Sequence, residues 1–226
     1  MLKAKKGFKR ATKQELKHDS FIEFTYEAKD WIEKNAQMLL LAVAAVVAVI
    51  AIGYFYSSSK AAAAQEAAVL LSRAQQEMRM GQKESALALY NEVTDKYAGT
   101  DASGKAAFFL GKMFWEDNDI TQAKSYFKRY IDDHSEKNIL TQAALAGYAD
   151  CLANEKAYGE AAKYYERAAK TQPDFPQAVA YLFSAAQSYY DAGEMGKAKT
   201  LAQEIIDNYK DPVFINRAEM LLAGIE

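Results

Sequence analysis

The side chains most able to do covalent or metal chemistry are few in this sequence and poorly spaced for it. Cys151 is the single cysteine among 226 residues, which leaves no intramolecular disulfide and no cysteine zinc site. Set in an Ala- and Leu-rich run, it reads as a small buried helix residue rather than a reactive thiol. The two histidines, His18 and His134, lie on opposite sides of a long apolar run and cannot share a metal. The acid pairs Glu116-Asp117 and Asp132-Asp133 adjoin turn sequences and read as solvated helix ends, not as a general acid–base dyad. The glycines are isolated, so there is no phosphate loop, and no H-E-x-x-H, C-x-x-C or G-x-S-x-G occurs. The expectation is a protein that is not an enzyme, with no catalytic residues, no metal and no cofactor.

The chemistry left is recognition by shape and scattered charge, and the elements that would position it are helical. Abundant Ala, Glu, Lys, Gln and Leu with three prolines predict helix throughout. Residues 38–56 read MLLLAVAAVVAVIAIGYFY without a charge. As a helix this run is about 28 Å long at ~1.5 Å per residue, close to the roughly 30 Å of a bilayer's hydrocarbon core. Its ten Leu, Ile, Val and Phe residues contribute at most about −3 to −6 kcal/mol towards insertion. Trp31 before it and Tyr54, Phe55 and Tyr56 at its end match interfacial aromatic belts. The run therefore predicts one membrane span in contact with lipid.

Charge sets the expected orientation. Residues 1–37 carry nine Lys/Arg against six Asp/Glu, and residues 57–226 carry nineteen against twenty-four. The cluster Lys3, Lys5, Lys6, Lys9, Arg10, Lys13 and Lys17 reads as a cytoplasmic topology signal rather than a nucleic-acid site. Ser20-Phe21-Ile22-Glu23 has the form of a capping box that would start a helix. Phe21, Phe24, Ala28 and Trp31 then fall on one face, as an interfacial helix on the inner leaflet or a partner's docking face would. The apolar run is too long and too far from the start for a typical secretory signal, which favours an uncleaved anchor. Ser57-Ser58-Ser59-Lys60 is expected to break the helix. The predicted segments are 1–37 (basic and amphipathic, cytoplasmic), 38–56 (span), 57–66 (linker and helix start), 67–212 (four repeats) and 213–226 (capping helix).

The repeats show as a register. Ala86, Ala123, Ala161 and Ala198 are spaced by 37, 38 and 37 residues. Tyr90, Phe127, Tyr165 and Ala202 follow by four; Val93, Tyr130, Ala168 and Ile205 follow by seven. Ala74, Gly111, Ala149 and Ala186 precede by twelve, where small size lets two helices approach closely. Turns are expected at Gly99-Thr100-Asp101, His134-Ser135-Glu136-Lys137 and Pro173-Asp174-Phe175-Pro176. The elements Leu110-Gly111 with Phe114, and Ala161 with Tyr165 and Pro173, resemble the tetratricopeptide repeat. With the span read from residues 38–56, the resemblance implies an all-α fold: an N-terminal transmembrane helix followed by a tetratricopeptide-repeat-like α-solenoid. Phe214, Ala218, Leu221 and Leu222 would cover its last repeat.

The resemblance also implies a concave surface lined by the first helix of each pair. On this chain it places there Leu71, Gln75 and Met78; Phe108, Lys112 and Trp115; Ala146, Asp150 and Asn154; and Phe183, Gln187 and Tyr190. Phe108, Trp115, Phe183 and Tyr190 are the expected apolar anchors for a bound peptide, with Lys112, Asp150, Asn154 and Gln187 as its polar contacts; the competing expectation is that these rings pack between helices. The Lys/Asn clamp of chaperone-binding members is not met, so an acidic chaperone tail is not an expected ligand. The order of tail, span and repeats is similar to bacterial single-pass inner-membrane repeat proteins. That likeness implies a scaffold whose repeats face the periplasm, with Sec translocon subunits, periplasmic chaperones or exported chains as partners. An envelope-assembly or division scaffold, and an organelle import receptor with cytosolic repeats, are the alternatives.

Overall fold

The computed structural model describes residues 13–133 and 137–225. Among the described residues there are ten helices and no strand, the all-α class expected. Lys3, Lys5, Lys6, Lys9 and Arg10 of the basic tail, the turn residues His134, Ser135 and Glu136, and the final Glu226 lie outside the described residues. The chain divides into two compact units, residues 1–60 and 61–226.

In the first unit, α1 spans Lys13–Lys34 and the following helix, α2, spans Ala36–Arg79. The expected helix start at Ser20–Glu23 is corrected: α1 already includes Lys13. The segment Lys13-Gln14-Glu15-Leu16-Lys17 is made of good helix formers, so the helix extends back through the capping sequence. Phe21, Phe24 and Trp31 are all exposed. At Asn35 the backbone N–H donates to Trp31 O at 3.0 Å and the side-chain amide donates to the same carbonyl at 2.7 Å. That competition for one acceptor coincides with the break between α1 and α2. By length and composition α2 is able to cross a membrane, and Leu40, Leu41, Val49, Ile52 and Phe55 are exposed along it. The expected break at Ser57–Lys60 is also corrected, because α2 passes through it unbroken. Serine costs a helix only a few tenths of a kcal/mol against alanine, and Ala61–Ala64 follow directly.

The second unit is a run of antiparallel helices. The end of α2 is followed by α3 (Lys83–Lys96), α4 (Asp101–Glu116), α5 (Ile120–Asp133), α6 (Ile139–Asn154), α7 (Tyr158–Thr171), α8 (Ala178–Asp191), α9 (Met195–Asn208) and α10 (Pro212–Ile225). Each packs on the next. The repeat register is the core. Ala86, Ala123, Ala161 and Ala198 are fully buried, as are Ala74, Ala149 and Ala186. The residues four and seven places after each register alanine are all buried as well. Polar ties lock neighbouring repeats: Tyr126 donates to Asn91 Oδ1 at 3.0 Å, and Arg129 donates to Thr94 O at 2.5 Å. Buried Gln142 donates to Ala168 O at 3.1 Å, satisfying an amide that would otherwise be costly inside.

The tightest packing surrounds Phe127. A Cβ placed on Gly111 of α4 would stand 2.8 Å from its ring, and one on Gly147 of α6 would stand 2.6 Å from it. The ring is thus held between two helix backbones that only glycine lets close. Gly111 was expected to serve a close approach; Gly147 carries no register signal in the sequence and is found only in three dimensions.

A second repeat signature lies at the turns. Gly81, Asn118, Lys156 and Gly193 all adopt positive φ, between 60° and 78°, five residues before each register alanine. After each, the next N–H closes the helix end: Gln82 to Glu77 O, Asp119 to Phe114 O, Ala157 to Leu152 O and Glu194 to Tyr189 O, at 2.8–2.9 Å. This is the Schellman termination, here built twice without glycine. The two expected turns inside the described residues fall at helix junctions, with Gly99 in the left-handed region before α4.

Candidate functional site

The first helices of the pairs carry the expected contact residues, and they separate into core and surface. Phe108 on α4 is buried, its ring centroid 6.1 Å from Phe127 and 6.0 Å from Tyr130 of α5. It packs inside its own repeat and offers no free face. Phe183 on α8 is buried too, under Phe214 at 6.3 Å and the Arg217 guanidinium at 4.2 Å, both from α10. For these two the expectation of free anchors gives way to core packing, because a neighbouring helix covers each ring. Trp115 is 37 % exposed, and Lys112 and Asn154 are exposed as well. Lys112 borders a small cavity of about 40 Å³ with Met78, Tyr90, Phe109, Met113 and Glu116.

Asp150, expected to orient a ligand, is half-buried and accepts a hydrogen bond from the Tyr165 hydroxyl. Burial raises its pKa, against the lowering effect of that hydrogen bond. Tyr165 is pushed up by burial first and by Asp150 second. Asp150 is therefore tied to α7, at the position where the repeat register puts an aromatic. Beside it, the Cys151 thiol is fully buried and pushed up to about 12 by desolvation. A thiol so protonated is a poor nucleophile, in line with the packing role read from the sequence.

Three of the eight candidates meet in one place. Phe183, Gln187 and Tyr190 of α8 line a cleft of about 340 Å³ whose other wall is Arg217, Met220, Leu221 and Gly224 of α10. The Tyr190 hydroxyl reaches Gly224 O at 3.5 Å, and Gln187 Nε2 donates to Asp191 Oδ1 at 3.1 Å. Arg217 and Met220 were missed from the sequence because residues 213–226 read as a cap alone. Their signal was available: Met220 follows Phe183 by one repeat length of 37 residues. Among the described residues no group of three or more His, Cys, Asp or Glu could hold a metal ion.

A family model described as tetratricopeptide repeat-like domain matches residues 29–182, and a second, described as tetratricopeptide repeat, matches residues 159–211. No curated protein sequence matches the chain. Among solved structures, the nearly identical TPR-like repeats of a Podosopora anserina protein described as a kinesin light chain superpose with a TM-score of 0.55 at 13 % identity, covering 72 % of this chain and 86 % of that one. BtubC (BKLC) from P. vanneervenii superposes with a TM-score of 0.51 at 14 % identity, covering 74 % and 80 %. At such identity these likenesses establish the fold alone. Four registered helix pairs and a family model across most of its length make this chain a member of the tetratricopeptide repeat-like domain family.

Proposed function

We propose that this chain is a membrane-anchored tetratricopeptide-repeat scaffold for protein–protein interactions, held by residues 38–56 with its repeats on the extracytoplasmic side of a bacterial inner membrane. One observation carries the reading. Along α2 the large apolar side chains of a nineteen-residue uncharged run are exposed, far more apolar surface than a water-facing helix tolerates. Lipid is the partner that covers such a surface on every side. The basic residues before the run and the net acidity after it support a cytoplasmic N-terminus. Phe21, Phe24 and Trp31 then suit the headgroup boundary on that side. The architecture resembles YfgM, the ancillary subunit of the Sec translocon, so the expected partners are translocon subunits, periplasmic chaperones and exported chains. The exposed Lys112, Trp115 and Asn154 and the half-buried Gln187 and Tyr190 on the first helices are where they would dock.

Protease added to intact spheroplasts tests the topology. Residues 57–226 should be digested while the tail is spared. If the repeats stay protected until the membrane is lysed, the orientation is wrong. In the same membranes Trp115→Ala with Tyr190→Ala should lose crosslinked partners while keeping the wild-type melt.

A further inference from the structure

We propose that the cleft between α8 and α10 binds a partner polypeptide that presents a large apolar side chain beside a carboxylate. The proposal rests on the scaffold reading above and names the chemistry that one end of the repeat surface selects. Its first support is a break in the register. Leu71, Phe108, Ala146 and Phe183 occupy one repeat position and are 8, 6, 4 and 6 % exposed; Met220 occupies the same position on α10 and is 75 % exposed. Phe108 is covered by Phe127 and Tyr130, and Phe183 by Phe214. No helix among the described residues does this for Met220.

The second support is the size and lining of the cleft. At about 340 Å³ it lies at the low end of the roughly 300–1,000 Å³ of ligand pockets. It takes one or two side chains, not a whole helix. Phe183, Tyr190, Leu221 and Met220 give it apolar and aromatic walls, and methionine adapts its shape to what enters. Gln187 spends its amide N–H on Asp191, which leaves its carbonyl oxygen to accept from a peptide N–H.

The third support is charge. Among the described residues Arg217 is the one charged residue lining the cleft. Its guanidinium lies 4.2 Å from the Phe183 ring centroid and 5.5 Å from that of Phe214, contacts that hold the group in place. Arg217 joins no ion pair among the described residues. A positioned cation without a counter-ion, at the edge of an apolar cleft, favours a carboxylate over an amide or an amine.

The test uses the full chain in detergent micelles with 13C-methyl methionine and follows the Met220 methyl signal. The probes are N-acetyl-Phe-Ala-Glu-amide and its Gln and Lys analogues, whose first and third side chains share one face when extended. The Glu peptide should shift Met220 saturably and bind about threefold to fivefold tighter than the Gln peptide, the factor that about 0.6–1 kcal/mol of exposed ion pairing gives. The Lys peptide should bind weakest. Arg217→Gln should make the three peptides equal, and Met220→Asp should abolish binding; both side chains are exposed, so the fold should survive. Peptides that leave Met220 unmoved, or bind regardless of charge, overturn the proposal without touching the protease result. A Met220 signal that shifts with protein concentration alone assigns the cleft to a second copy of the chain and overturns it too.

Discussion

Helices α4 and α10 carry the same repeat register into opposite surroundings. On α4, Phe108 is buried by α5, whose own Phe127 is clasped between Gly111 of α4 and Gly147 of α6. On α10 the equivalent Met220 projects into solvent beside an open cleft. The local sequences are comparably apolar, and what differs is the neighbour. Phe108 is covered by the second helix of its own pair, and no helix follows α10 among the described residues to do the same for Met220. Covered positions hold the fold together, and the uncovered one leaves apolar surface on α10.

Substitutions at the two places test the contrast most directly. Phe127→Ala should cost about 3–5 kcal/mol, because it removes a fully packed ring and leaves a cavity between three helices. Met220→Ala should stay within about 0.5 kcal/mol of wild type, as exposed positions do. Chemical denaturation of the two variants side by side measures the difference. Similar losses at both would mean that α10 is as enclosed as α4 and would remove the contrast. Gly147→Ala sharpens it from the backbone side. Its methyl group must displace the Phe127 ring, at about 1–3 kcal/mol, and the loss should shrink when Phe127 is shortened to Leu in the same chain, since the two sites share one contact.

A smaller effect of opposite sign is expected at the turns. Lys156 holds φ at 63°, where the equivalent residues in the first and fourth repeats are Gly81 and Gly193. A side chain in this region costs about 1–2 kcal/mol, partly offset by the freedom glycine loses on folding. Lys156→Gly should therefore raise stability by roughly 0.5–1 kcal/mol, read as a higher melting temperature. A drop would mean that the Lys156 side chain makes a compensating contact.

The smallest effect is a dependence on pH. Burial raises the Asp150 pKa above its ordinary value, so its contribution to stability is present below the unfolded pKa and is lost as pH rises through the folded one. Asp150→Asn keeps an oxygen to accept from Tyr165 and cannot ionise. It should melt higher than wild type near pH 7, and the gap should close towards about pH 3. A gap that widens on acidification would show that the carboxylate is stabilised where it sits.

Much of this fold is legible in the sequence because repetition multiplies weak signals. One alanine says little, but four at intervals of 37 or 38 residues, with small residues twelve places before, locate the helix pairs and their contact. The candidate site was harder. Phe108 and Phe183 have the size and spacing of ligand anchors, and nothing in their local sequence says that Phe127, Tyr130 and Phe214 close over them. Lys156 hides a left-handed turn that Gly81 and Gly193 announce, because hydrogen bonds at the helix end impose the conformation on a residue that does not prefer it; Asn118, a residue that tolerates this region, signals its turn more weakly than glycine does. Ser20 and Ser57–Ser59 mislead for the opposite reason: their local preference is weak, and strong helix formers on either side override it.

By itself the sequence determined the all-helical class, the repeat register, the apolar uncharged run of 38–56 and the charge imbalance about it. These depend on composition and period, which the chain carries along its own length. Only the tertiary structure decided which register positions are covered, that Gly147 as well as Gly111 admits the Phe127 ring, that Asp150 is tied to Tyr165, and that α10 forms a wall of a cleft besides capping the stack. Those are contacts between residues distant in the chain, and burial is settled by what packs across from a side chain, not by what precedes it.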